Sequence, residues 1–119
     1  MKTLLLVEDD DEVRYILKKL LENEHPHCTI TDVADAEQAI TLLRAGDLYD
    51  AVLTDLDMPN GEGLSLIAIA RARLPHAKIA LMSSRMTEEV KQLAKVAGAD
   101  ASFHKPLSQL QRKTFCAVQ

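Results

Sequence analysis

Two kinds of stretch take turns along this chain: short, nearly unbroken apolar runs, and longer segments whose apolar residues recur every three or four positions. The runs are Thr3–Val7, Cys28–Val33, Asp50–Thr54, Lys78–Met82 and Ala101–Phe103. They are too short for helices and rich in Leu, Val and Ile, so each reads as a strand, the central ones covered on both faces. The first helical stripe carries Val13, Ile16, Leu17, Leu20 and Leu21, and the second Ala36, Ala39, Ile40, Leu42 and Leu43. The third carries Leu64, Ile67, Ala68 and Leu74, and the fourth Val90, Leu93, Ala94 and Ala97. A last helix from Leu107 is expected to set Leu110 and Phe115 on one face. Asp10 or Asp11, Asp35 and Thr87 open helices, His25-Pro26-His27 and Pro75 break them, and Gly46 and Gly98 follow helix ends. Five strand–helix alternations predict a single α/β domain over residues 1–119, a doubly wound parallel sheet with helices on both faces.

Composition narrows the function classes. At 119 residues, 47% hydrophobic and 27% charged, the chain can bury a core as a soluble protein does. No window approaches about 18 consecutive apolar residues, so no membrane span is expected. The apolar start runs straight into Glu8-Asp9-Asp10-Asp11-Glu12 with no small-residue cleavage site, which excludes a signal peptide and predicts a cytoplasmic protein. A net charge of −4 argues against nucleic-acid binding by this chain. Cys28 and Cys116 fit no CxxC spacing and read as buried thiols rather than redox or zinc ligands.

Chemistry in such a sheet collects at the carboxyl ends of the strands. The loop after the first strand offers Glu8 and Asp9, and the third strand delivers Asp55 and Asp57 before the chain breaks at Pro59-Asn60-Gly61. The fourth offers Ser83 and Ser84, the fifth Lys105. Each has a plain reading alone: an acidic helix start, a turn aspartate, a solvated lysine. Together they make a carboxylate cluster that is costly without a cation, with oxygen ligands suited to Mg²⁺. A lysine and a hydroxyl suit the oxygens of a transferred phosphoryl group, and an aspartate can hold that group as an acyl phosphate.

Over residues 1 to about 115 these motifs occur in order, and the chain resembles a response-regulator receiver domain of bacterial two-component signalling. The resemblance implies a flavodoxin-like (βα)5 fold with strand order 2-1-3-4-5. It implies Asp55 as the phosphorylated residue, with Mg²⁺ or Mn²⁺ held by Glu8, Asp9, Asp55 and the backbone carbonyl of Asp57. Ser83, preferred by spacing over Ser84, and Lys105 would bind the phosphoryl oxygens, and Pro106 stands where the family usually has a cis proline. The donor would be a histidine kinase or phosphotransfer protein. The response would be a changed surface around the fourth helix, fifth strand and fifth helix, read by an output protein or domain. The chain would be a monomer or weak homodimer whose only chemistry is on itself.

The sequence departs from the family pattern at three places. Ser84 competes with Ser83 for the sensing role, Glu62-Gly63 stands where Asp-Gly is commoner, and Ser102 occupies the position of a switch aromatic, leaving Ser83 and Ser102 as the switch pair. Phe103 should point to the opposite face of its strand. Asp57 and Arg85 each follow a site residue by two positions, where the family tunes phosphoryl lifetime, and are expected to pair across the crevice for about 0–1 kcal/mol. Two rivals remain: a phosphatase or mutase using Asp55 and Asp57, which would need a cap or a larger core, and a pseudo-receiver that is never phosphorylated, to which Ser102 leaves some room.

Overall fold

The computed structural model describes residues 1–59 and 62–117, so the break at Asn60-Gly61 and the last two positions lie outside the described residues. Ten elements alternate: β1 Thr3–Val7, α1 Asp11–Glu24, β2 Thr29–Val33, α2 Ala36–Arg44, β3 Ala51–Asp55, α3 Glu62–Arg73, β4 Lys78–Ser83, α4 Glu88–Ala97, β5 Ala101–His104 and α5 Gln109–Phe115. All strand pairs are parallel, in the order β2-β1-β3-β4-β5. Strand bounds agree with the apolar runs to within a residue. Asp50 lies just before β3, where its carboxylate accepts the N–H groups of Lys2 and Thr3 at 2.8 and 3.1 Å.

Helix starts follow from side chains that satisfy the first free N–H groups. Asp10 Oδ1 accepts from Glu12 and Val13, Asp35 from Gln38 and Thr87 from Val90. Ser108 and Gln111 close a reciprocal capping box on α5, which lets seven residues hold a helix. Gly98 ends α4 at φ +120, a conformation that disfavours any side chain.

Strand alternation splits the interior into two cores. Leu5, Val7, Val52, Ile79 and Leu81 meet α2, α3 and α4, while Leu4, Leu6, Leu53, Ala80 and Met82 meet α1 and α5. The expected stripes need correction here. On α1 only Leu17 and Leu21 are buried; Val13, Ile16 and Leu20 are 41%, 52% and 37% exposed. The rest of the inner face of α1 is taken by Arg14 and Lys18, both engaged with Asp32 of β2. On α3 the buried line is Gly63, Leu66, Ile67 and Ala70, continued by Leu74, and Ala68 faces water. On α4 Ala94 is buried and Leu93 is exposed. On α5 Leu110 is 72% exposed, because Arg112, Phe115 and Cys116 turn inward instead. Arg112 donates to both oxygens of Glu24 at 2.7 Å and to the Leu107 carbonyl, fastening α5 to the end of α1.

Gly63 is where α3 comes closest to the site. A Cβ there would stand 2.8 Å from the Asp55 carbonyl oxygen and 3.0 Å from Leu56 Cα, both backbone atoms with little freedom to yield. Replacing glycine by alanine inside a helix gains at most about 1 kcal/mol, and overpacking costs about 1–3 kcal/mol. Gly63→Ala is therefore expected to lower stability by about 1–2 kcal/mol in urea unfolding; a stabilised variant would show that the β3–α3 loop gives way.

Candidate functional site

β1 and β3 lie side by side at the centre of the sheet, and each ends in a carboxylate with no exposed surface, Glu8 and Asp55. Lys105, just past β5, reaches back over them. Its Nζ lies 2.8 Å from Glu8 Oε1, 3.0 Å from Asp55 Oδ1 and 3.9 Å from Asp57 Oδ2. The lysine is anchored by its own N–H, which donates to the Ser83 carbonyl, and the Lys105–Pro106 peptide is cis. Asp55 Oδ1 also accepts the Asp57 N–H at 2.8 Å.

One cation does not satisfy two buried carboxylates. Asp55 Oδ2 is buried without a hydrogen bond, and Glu8 Oε1 has only the Lys105 ammonium, 2.8 Å away. Burial, reinforced by the neighbouring Asp55, pushes the Glu8 carboxyl from 4.5 to about 7 against the pull of Lys105. For Lys105, burial disfavours the charged amine, but Glu8 and Asp55 outweigh it and raise its pKa. Glu8, Asp9 and Asp55 each offer an oxygen, all within 4.8 Å of one another, with Asp9 on the exposed side. Hard oxygens at that spacing, with Asp55 Oδ2 free of any hydrogen bond, fit a small divalent cation.

A residue that the sequence reading missed supports this loop. Arg14 donates to the Glu8 carbonyl at 2.8 Å while its other nitrogens hold Asp32 and Asp11. The available signal was a basic pair, Arg14 and Lys18, one turn apart beside the apolar stripe of α1.

Asp57 turns away from the acidic pocket. Its Oδ1 accepts the Ser83 hydroxyl, and its Oδ2 accepts both the N–H and the hydroxyl of Ser84, each at 2.8 Å. Among the described residues no ion pair joins Asp57 to Arg85; Arg85 is exposed and donates its backbone N–H to Ser83 Oγ at 3.0 Å. Three short bonds outcompete a solvated ion pair. Ser83 is fully buried and Ser84 exposed. Ser102 is half-buried beside Leu81, while Phe103 packs edge-on against Phe115 at 6.0 Å in the α1–α5 core. Both cysteines are buried in that same core, and burial raises their pKa, that of Cys116 to about 11, so neither is a reactive thiolate.

Residues 4–114 match the family described as the response regulator receiver domain. The chain is 32% identical over 108 residues to the transcriptional regulatory protein CpxR of Escherichia coli K12, covering 91% of this chain and 44% of that protein. It is 26% identical over 108 residues to stress response regulator protein 1 of Candida albicans SC5314, covering 89% and 38%. It thus spans less than half the length of these curated relatives. Among solved structures, the signal receiver domain of a DNA-binding response regulator from Colwellia psychrerythraea superposes with a TM-score of 0.85 at 27% identity, covering 96% and 94% of the two chains. A Burkholderia pseudomallei response regulator, solved with a phosphorylated aspartic acid, a calcium ion and citrate, gives 0.80 at 23% identity over 100% of this chain and 67% of its own.

Glu8 sets a pH dependence whose sign is fixed. A carboxyl raised from 4.5 to about 7 on folding favours the folded state while protonated, fully below pH 4.5, and loses that contribution as pH rises through about 7. In the metal-free chain, Glu8→Gln should therefore gain stability over the unsubstituted protein as pH climbs from 4.5 to about 7, then hold a constant margin. Urea unfolding across that range measures it, and a margin independent of pH refutes the assignment.

Proposed function

The chain belongs to the response-regulator receiver family, and from that premise we propose that it is a phosphoacceptor switch in which Asp55 takes a phosphoryl group from a histidine kinase or phosphotransfer protein. The observation that carries the reading is the Asp55 carboxylate itself. It is fully buried, held by the Asp57 N–H and Lys105 on one oxygen, and left with free lone pairs on the other.

In the proposed step an Asp55 oxygen attacks phosphorus, the bond from phosphorus to the donor histidine nitrogen breaks, and the imidazole leaves with its electron pair and takes up a proton. Lys105 neutralises charge on the phosphoryl oxygens, and Ser83 supplies a hydroxyl to one of them. Glu8, Asp9, Asp55 and the Asp57 carbonyl would hold Mg²⁺ or Mn²⁺, which lowers the charge repulsion between the acidic pocket and an incoming anion. Mg²⁺ is favoured because it binds through few carboxylates and keeps its waters. The Burkholderia protein was solved with both a phosphorylated aspartic acid and a calcium ion, which is in keeping with a phosphoacceptor aspartate and a divalent cation here.

Ser83 and Ser102 would relay the change to a surface formed by α4, β5 and α5, where a partner protein or a further domain reads it. Asp57 and Arg85, flanking Ser83 through their hydrogen bonds, would set how long the acyl phosphate lasts.

With Mg²⁺ and a small phosphodonor such as acetyl phosphate, the chain should gain one phosphoryl group by mass, and Asp55→Asn should gain none while remaining folded. Chelation of the metal should abolish labelling of the unsubstituted chain. An unlabelled, folded chain would overturn the reading in favour of a binding module that is never phosphorylated.

A further inference from the structure

Asp57 is satisfied by an unusual set of donors for a half-exposed loop aspartate. The Ser83 hydroxyl, the Ser84 N–H and the Ser84 hydroxyl all donate to it at 2.8 Å, and Lys105 Nζ stands 3.9 Å away. Backbone N–H, hydroxyls and an ammonium converging on one anion form an oxyanion cradle. The anion lying in it belongs to the chain.

The cradle adjoins the phosphoryl acceptor. Asp57 donates its own N–H to Asp55 Oδ1, and the Leu56 N–H donates to the Met82 carbonyl, one residue before Ser83. A phosphoryl group on Asp55 therefore arrives beside donors already committed. The Ser83 hydroxyl and the Ser84 N–H each have one proton to give, so Asp57 and a phosphoryl group cannot both be served by them, whereas the exposed Ser84 hydroxyl serves Asp57 alone. Ser83 is fixed from both sides, donating to Asp57 and accepting from the Arg85 N–H.

We propose that Asp57 is the resident anion of the phosphoryl cradle, holding Ser83 and Ser84 in the unphosphorylated chain until a phosphoryl group on Asp55 expels it. The inference rests on the phosphoacceptor reading and adds a competition to it. Asp57 then acts as a positioning residue, opposing phosphoryl binding through the serines rather than by screening water. Its displaced carboxylate is also a moving part at a site whose switch position holds Ser102 and not an aromatic.

Removing Asp57 alone would not separate competition from loss of charge, so the test turns on Ser84. Ser84→Ala keeps the net charge and the backbone N–H while removing one bond to Asp57. Binding of beryllofluoride, which caps a carboxylate as a phosphoryl mimic, is titrated with Mg²⁺ present in the unsubstituted chain, Ser84→Ala, Asp57→Ala and the double variant. Ser84→Ala should tighten binding about fivefold, the worth of roughly one hydrogen bond, and should change nothing when Asp57 is already alanine. The Ser84 amide proton, read by NMR, should lie downfield in the unsubstituted chain and move upfield in Asp57→Ala. Unchanged or weakened binding in Ser84→Ala, with the unsubstituted chain binding the mimic normally, overturns the inference and leaves the phosphoacceptor reading intact. No binding by the unsubstituted chain overturns both.

Discussion

Everything at the carboxyl edge of the sheet depends on one electrostatic constraint, two buried carboxylates sharing one lysine. Glu8 and Asp55 are carried on adjacent central strands, so the register of β1 with β3 dictates their closeness and neither can retreat to water. Like charges so placed are tolerable only if one is protonated or a cation joins Lys105. The raised pKa of Glu8 describes the first solution, and the spacing of Glu8, Asp9 and Asp55 describes the second. Arg14 holds the loop that makes this choice, through the Glu8 carbonyl.

A second constraint grows from the first. Because the Asp57 N–H serves Asp55, the backbone of Asp57 is fixed at the site and its side chain has only a short arc to explore. Two serines at the end of β4 lie on that arc. The acidic pocket and the serine cradle are thus two halves of one site, hinged at a single residue and bridged by Lys105.

The alternation of elements, all five strands and the residues at the strand ends were legible in the sequence because period and punctuation are local properties. So was Phe103 facing away from Ser102, since a strand alternates its sides. What was not legible depended on tertiary packing. An apolar stripe marks a helix but not which of its edges is inward, and on α1 the choice was set by Arg14 and Lys18 reaching Asp32, residues distant in sequence. Arg112 took the inward position expected of Leu110 because its partner is Glu24, 88 residues away. The orientation of Asp57 was hidden for the same reason: opposite charge suggested Arg85, whereas the short distances went to neutral serines.

The two borders of the sheet carry a consequence for assembly. β2 is tied through Asp32 to a pair of cations on α1, and β5 has four residues and stops at a proline-containing turn. Short or charge-pinned borders are poor templates for strand addition. Strand addition between copies is thus disfavoured at both borders, while Ile16, Leu93, Val96 and Leu110 lie open on the helical flanks.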